Sequence, residues 1–374
     1  MQWINRIKQV ESKLWDNDFP FLQKTFLNAL EEHRSLNGDS GWQSHYLHLD
    51  QQKLLLPSFI KQHSYGEYVF DWGWAESYQN HGLNYYPKMI VAAPFTPVPG
   101  PRLIGVENSP APINGHEISQ HLQEHCHQEN LSGVHYLFIN DQEREVLKDH
   151  NWHERKSVQF LWNNYQYQNF EHFLSTFKSR KRKTILKERR LIHESGIRIL
   201  KLSGNEISDE HWQFFYGCYQ STYAKRRMSG YISLNAFKAM GLTMPEQLLL
   251  IIAQHENQPL ACALYFKDKE NLYGRFWGCH QEITGLHFEL CYYQGIDYCI
   301  ENNLKHFNPG TQGEHKIARG FEATFCHSLH YLTHTGFHDA VGDFVHEEAK
   351  QLKNYKQSCY EQLPFNNQNM PEPT

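Results

Sequence analysis

A mixed α/β fold divided between two domains is what this sequence predicts, and three observations carry the prediction. The chain has 374 residues, too many for one ordinary core. Short apolar runs of strand length alternate with segments of helical period along most of it. Hydrophobic residues make up 40% and aromatics 14%, which places the chain among globular proteins rather than disordered or fibrous ones.

The elements follow in order. Leu22, Phe26, Leu27 and Leu30 recur at helical spacing after Pro20, predicting a helix over Phe21 to His33. "SHYLHLDQQKLLLPSFIKQ" predicts strand, turn, strand. "HSYGEYVFDWGWAESY" alternates aromatics at period two, the pattern of a half-buried strand. "YYPKMIVAAPFTPVPGPRLI" predicts a buried strand, a Pro-rich turn and another strand. "EISQHLQEHCHQEN" follows as a helix and "GVHYLFIN" as a strand. A break near Gln168 opens the second half. "FEHFLSTFKSRKRKTILKERRLIHESGIRILKL" predicts a helix, a very basic helix and a strand after Gly196. "DEHWQFFYGCYQSTYAKR" is helical, and "QLLLIIAQHENQPLACALYFKDKENLYGRFWGC" holds three strands joined by polar turns. In "GLHFELCYYQGIDYCIENN" the positions Leu286, Leu290, Tyr293, Ile296 and Ile300 share one helix face that can pack on a sheet. "LKHFNPG" is the next strand, and the chain ends in an amphipathic helix with the loose tail "PFNNQNMPEPT". The domains expected are 1–167, 168–340 and a C-terminal helix and tail, 341–374, packing back on the first.

A formal net charge of -5 gives no global pull toward nucleic acid, so any polyanion contact must be local. Eight cysteines without a C-x-x-C pair, several inside apolar runs, predict reduced, buried thiols. No apolar h-region marks the N-terminus, and the longest apolar runs, 248–253 and 89–95, fall short of the roughly 20 residues a membrane span needs. A cytoplasmic protein is expected. Histidine is frequent, at 25 residues. His121 and His125 stand four apart with Cys126 and His127 adjoining, yet no H-E-x-x-H or paired-cysteine motif supports a metal site, and a solvated helix face is expected there. No nucleophile elbow, phosphate-binding Walker loop or dinucleotide fingerprint is present.

Two stretches concentrate charge. In "FNPGTQGEHKIARGF" (307–321), Gly310 and Gly313 permit positive φ at a strand end, which frees the chain to bring Glu314, His315, Lys316 and Arg319 toward one cleft. "FKSRKRKTILKERR" carries Lys178, Arg180, Lys181, Arg182, Lys183, Lys187, Arg189 and Arg190 against a single Glu188. Such a cluster suits a phosphate-bearing ligand near a helix start, or is a solvated helix face.

These segments, together with 61–103 and 273–321, give the chain a resemblance to FemAB-like predicted N-acyltransferases of the GNAT superfamily. The resemblance extends from "DNDFPFL" to the last helix. It implies two tandem GNAT-like domains with mixed sheets flanked by helices. It also implies transfer of an acyl or aminoacyl group, from a CoA thioester or aminoacyl-tRNA, to an amine on a small-molecule or peptide acceptor such as a peptidoglycan precursor. The acetyl-CoA-binding loop Q/R-x-x-G-x-G/A is not matched by "GCHQEITGL", whose glycines are Gly278 and Gly285; FemAB-type proteins without that loop can use aminoacyl-tRNA as donor. No metal is expected.

Amide formation needs a base for the attacking amine and a donor for the oxyanion. Glu314 or His315 is the candidate base, and Lys316 or Arg319 the cation beside the carbonyl or the donor's phosphate. The family's lysine stands just before a closing Gly-Phe, a place shared here between Arg319 and, three residues earlier, Lys316. Arg180, Lys181, Arg182, Lys183, Arg189, Arg190 and Arg275 are the candidate donor-phosphate contacts, with Lys88 and Arg102 as further anion contacts on a rim. Asp71, among Trp and Tyr, is a candidate base or amine grip whose surroundings predict a raised pKa. The alternative reading is a non-catalytic module that binds a peptide or cell-wall precursor, and a third is a tRNA- or nucleotide-binding partner protein.

Overall fold

The computed structural model describes residues 2–15, 18–311 and 313–372. The chain divides into two compact units, residues 1–157 with 325–354 and residues 158–324 with 355–374. The division by contacts therefore falls inside the strand His153–Asn163, before the break read near Gln168. It also gives most of the strand Glu322–Leu332 and of the helix Thr335–Glu361 to the first unit. The reason is backbone pairing: residues 327–332 run antiparallel to 133–139, with Leu332 opposite Gly133 and His327 opposite Ile139.

In the first unit, strands Trp42–Ser44, Ser58–Lys61, Lys88–Val91 and Gly133–Ile139 lie side by side, followed by the strand Glu322–Leu332 and then His153–Asn163. Among the first five, all pairs are antiparallel except Lys88–Val91 with Gly133–Ile139. Parallel neighbours need a crossover, and the helix Gly115–Gln128 provides it, capped by the Asn114 side chain. Met89, Val91, Val134, Tyr136, Ile118 and Leu122 form the core between that helix and the sheet.

Two expectations change here. Residues 72–80 form a helix rather than continuing a strand. Trp74 and Tyr78, four apart, pack with Val341 and Val345 of the last helix, so a helical period won over the alternation of aromatics. Residues 94–104 form no second strand. Gly100 makes a single bridge beside Ile139, and Leu55 one with Ile104, because four prolines between 94 and 101 leave few N–H groups for a ladder. Arg102 is fully buried and donates to the carbonyls of Leu137, Val98 and Pro101 at 2.8–2.9 Å. It is an internal brace, not an anion contact on a rim.

The second unit repeats the scheme. Strands Arg198–Ser203, Leu248–His255, Gln258–Lys267 and Asn271–Cys279 are antiparallel neighbours, followed by the parallel strand His306–Asn308 and then the antiparallel end of His153–Asn163. The crossover between the parallel pair is Leu286–Glu301. Its five predicted core positions, Leu286, Leu290, Tyr293, Ile296 and Ile300, are all buried. The three predicted strands over 248–279 form with the turns where the sequence places them. Each unit thus carries a mixed, helix-flanked sheet with one parallel pair, the expected class.

The eight cysteines are free thiols, six of them buried. Among the described residues no helix is long and apolar enough to cross a membrane. On the helix Gly115–Gln128 the expected solvated face holds for His127, which is exposed, and partly for His121, but not for His125, which is buried. Cys126 is buried, the His125 ring stacks on Trp3 at 4.0 Å and meets His45 at 2.8 Å, and His127 bonds Tyr331. No cluster of three or more metal-ligating side chains occurs among the described residues.

Candidate functional site

The second unit's parallel pair does not stay paired. Its ladder ends at Tyr273 opposite Asn308, because Pro309 has no N–H to extend it and Gly310 turns away at φ 94°. On the neighbouring edge the register jumps from Leu264 opposite Phe276 to Tyr265 opposite Gly274. Arg275 is therefore the extra residue of a bulge, which bends the strand and re-aims its side chains. The two strands splay, and a pocket of about 100 Å³ opens between them, bounded by Gly274, Arg275 and Trp277 on one side and Pro309 and Gly310 on the other. In the first unit the corresponding opening is closed, because Gly100 returns to bond Phe138 and Asn140.

The crossover helix supplies the pocket's third wall, with His287, Cys291 and Tyr292. Over Glu289–Tyr293 this helix widens into a π turn, an insertion that shifts the following side chains around the axis and recurs at functional sites. Burial of His287, then the charges of His315, Lys316 and Arg319, lower its pKa to about 4. The Cys291 thiol is raised by burial, against the pull of Lys316.

Gly313 (φ 117°) and Gly320 (φ 83°) bracket a 3-10 segment, Glu314–Arg319. A Cβ at Gly320 would lie 3.0 Å from the Phe177 ring and 3.1 Å from Phe173, so both its turn and its packing call for glycine. This segment separates the two candidate cations. Arg319 is claimed within the fold. Its Nε donates to the Tyr293 hydroxyl at 2.9 Å, Nη1 to the His315 carbonyl at 2.8 Å, and Nη2 to both Glu188 oxygens at 2.9 and 3.1 Å. The guanidinium also lies 3.5 Å from the centre of the Phe288 ring. Lys316 is 1% exposed, and its Nζ donates to the Gly310 carbonyl at 2.6 Å, at the pocket's edge. Burial lowers its pKa to about 7, with Cys291 pulling the other way.

The neighbouring candidates diverge as well. His315 is exposed, meets the Tyr292 hydroxyl at 2.7 Å, and has its pKa lowered by burial and by Lys316 and Arg319. Glu314 faces solvent and accepts from Tyr355 at 2.8 Å. Arg275 stands in the pocket wall.

The basic run forms the helix Ser179–Glu194. Arg180, Lys181, Lys183 and Arg190 are exposed, and Arg182 is half-buried. Arg189 turns inward, to Asp297 at 2.7 Å and Glu289 at 3.1 Å, with its guanidinium over Phe170. The one acidic residue of the run, Glu188, is the partner of Arg319.

Asp71 belongs to a buried network in the first unit. Lys88, wholly buried rather than on a rim, donates to Asp71, to Glu67 at 2.7 Å and to Ser64 at 2.9 Å. Tyr85 donates to Asp71 at 2.7 Å and meets His135 at 3.1 Å; His135 meets His330, and His330 meets Ser328. Burial would raise the Asp71 pKa, but Lys88, His135 and the bonds from Lys88 and Tyr85 outweigh it and hold it at about 2. The expected raised value is found instead on Glu67, which burial lifts to about 7. Asp71 stays ionised beside Lys88, poorly suited to take a proton.

The family model FemAB_like, described as peptidoglycan biosynthesis/recognition, matches residues 6–367. The chain belongs to the FemAB_like family. No curated protein matches this FemAB_like chain. Among solved structures, FemX is similar at a TM-score of 0.53 and 10% identity, over 91% of this chain and 100% of that one. L-PGS from Bacillus licheniformis is similar at 0.53 and 10%, over 89% and 98%. A tandem GNAT protein from the clavulanic acid biosynthesis pathway matches at 0.37 and 8%, over 67% and 77%. At 10% identity the likeness to FemX and L-PGS is one of fold. His287, Cys291 and Tyr292 had escaped notice because "GLHFELCYY" carries only a helical period, and no local signal marks a π turn.

Proposed function

We propose that this FemAB_like protein is an N-acyltransferase whose donor carbonyl enters the splayed-strand pocket of the second unit. The observation that carries the reading is the convergence of a buried amine, Lys316, with the open edges of two strands at Gly310 and Arg275. Strand edges there bring backbone groups to a ligand, and held reactants need little further chemistry from the protein. A pocket of about 100 Å³ suits an acyl or aminoacyl end group and leaves the rest of the donor outside. The exposed cations Arg180, Lys181, Lys183 and Arg190 are the proposed contacts for donor phosphates, of CoA or of a tRNA acceptor stem. Arg189 and Arg319, already paired, hold the helix and the 3-10 segment in place. The acceptor is an amine on a peptide or peptidoglycan precursor.

The test pairs thermal shift with mass spectrometry. A true donor among acyl-CoA thioesters and aminoacyl-tRNAs raises the melting temperature, since native-state ligands add stability. Incubation with peptide or nucleotide-linked peptide amines then yields an amide of the expected mass. Stabilisation without any mass change across donors and acceptors would instead favour a binding module. A steep fall of donor affinity with salt, lessened in Arg180→Ala/Lys183→Ala, is expected if phosphates lie on the helix.

A further inference from the structure

Lys316 is an unusual lysine. It is 1% exposed, and no carboxylate pairs with it among the described residues. Its one bond among them is to the Gly310 carbonyl. The groups around it are Cys291 and His287 from the crossover helix and His315 and Arg319 from its own segment, with Arg275 in the wall of the adjoining pocket. None of these is an anion at neutral pH in these surroundings. An ammonium has three N–H donors and a full charge, both costly to bury against a single acceptor. An uncharged amine needs only the one bond that is present, and it keeps a lone pair. Burial acts in the same direction on its proton affinity.

Building on the transferase reading, we propose that Lys316 works as an uncharged amine and is the general base of the second unit's pocket. As the acceptor nitrogen attacks the donor's carbonyl carbon, the C–N bond forms and Lys316 Nζ takes the proton that nitrogen sheds. When the tetrahedral species collapses, the C–S bond of a thioester or the C–O bond of an ester breaks. The proton on Lys316 passes to the departing thiolate or alkoxide, so amide and thiol or alcohol leave and the amine is regenerated. The role is the reverse of a fixed positive charge, and it sets apart lysine from arginine at this position.

Two experiments bear on it, and the first needs no substrate. In ¹⁵N-lysine-labelled full-length protein, the Nζ signal missing from Lys316→Met should titrate near pH 7, and a signal still charged at pH 9 overturns the proposal. The same titration predicts stability. Lys316 is charged in the unfolded chain up to about 10.5 but uncharged when folded above about 7, so the unfolded state binds more protons between these values. The Lys316 contribution to stability should therefore rise from pH 7 to 10.5, and Lys316→Met should lower the slope of stability against pH over that range relative to the wild type; an unchanged slope overturns the proposal. The second experiment uses transfer activity. Lys316→Arg, permanently charged, should lose about 100-fold or more, as much as Lys316→Ala. An active Lys316→Arg means a cation is enough, and rejects the base. Absence of transfer in the wild type, with the NMR titration intact, would count against the transferase reading and leave the uncharged lysine standing.

Discussion

Arg319→Ala should unfold the second unit's site more than it disturbs any ligand. The guanidinium is 7% exposed and its partner Glu188 25% exposed. Truncation removes two charge-assisted bonds to Glu188, one bond to Tyr293, one to the His315 carbonyl and the contact with Phe288. Removing one member of a buried pair costs about 3–5 kcal/mol. Partial exposure of Glu188 lets water recover part of that, and the stacking on Phe288 is worth about 1 kcal/mol. A net loss of about 3 kcal/mol follows. Urea unfolding read through the second unit's tryptophans, Trp162, Trp212 and Trp277, is the assay, with two-state behaviour checked by a second probe. Glu188→Gln serves as the companion, and the double-mutant cycle should return a coupling of about 1–2 kcal/mol. Destabilisation below about 0.5 kcal/mol, or a coupling of zero, would show that the pair is incidental and that Arg319 is available for catalysis after all.

Gly278→Ala should be strongly destabilising, by about 1–3 kcal/mol, because its Cβ would lie 2.3 Å from the backbone oxygen of Cys218; a melting temperature equal to the wild type's would mean the strand and helix can part cheaply. Tyr85→Phe deletes the bond to Asp71 and leaves His135 without that partner, so a loss of about 1–3 kcal/mol is expected, measured by chemical denaturation, and a neutral outcome would place water in the hydroxyl's role.

Much of this fold was written in periodicity. The crossover helix of the second unit packs on the five positions its spacing named, and the three strands over 248–279 form between their polar turns. Gly310 and Gly313 take the positive φ their place at a strand end requires. Where local patterns competed, the tertiary contacts chose: the aromatic alternation around Trp72 and Trp74 gave way to a helix because Trp74 and Tyr78 meet Val341 and Val345.

What sequence alone determined was the class of the fold, most of its elements in order, and the charged segment at the end of His306–Asn308. It had no means of telling Lys316 from Arg319, two cations three residues apart in one loop. Only the folded chain does so, by bringing Glu188 to Arg319 from 131 residues away and leaving Lys316 with a carbonyl. Likewise Asp71 keeps its charge because Lys88 and Tyr85 converge on it. Hydrophobic period acts between neighbours in sequence, whereas the protonation and role of a buried charge depend on which distant groups surround it once water is gone.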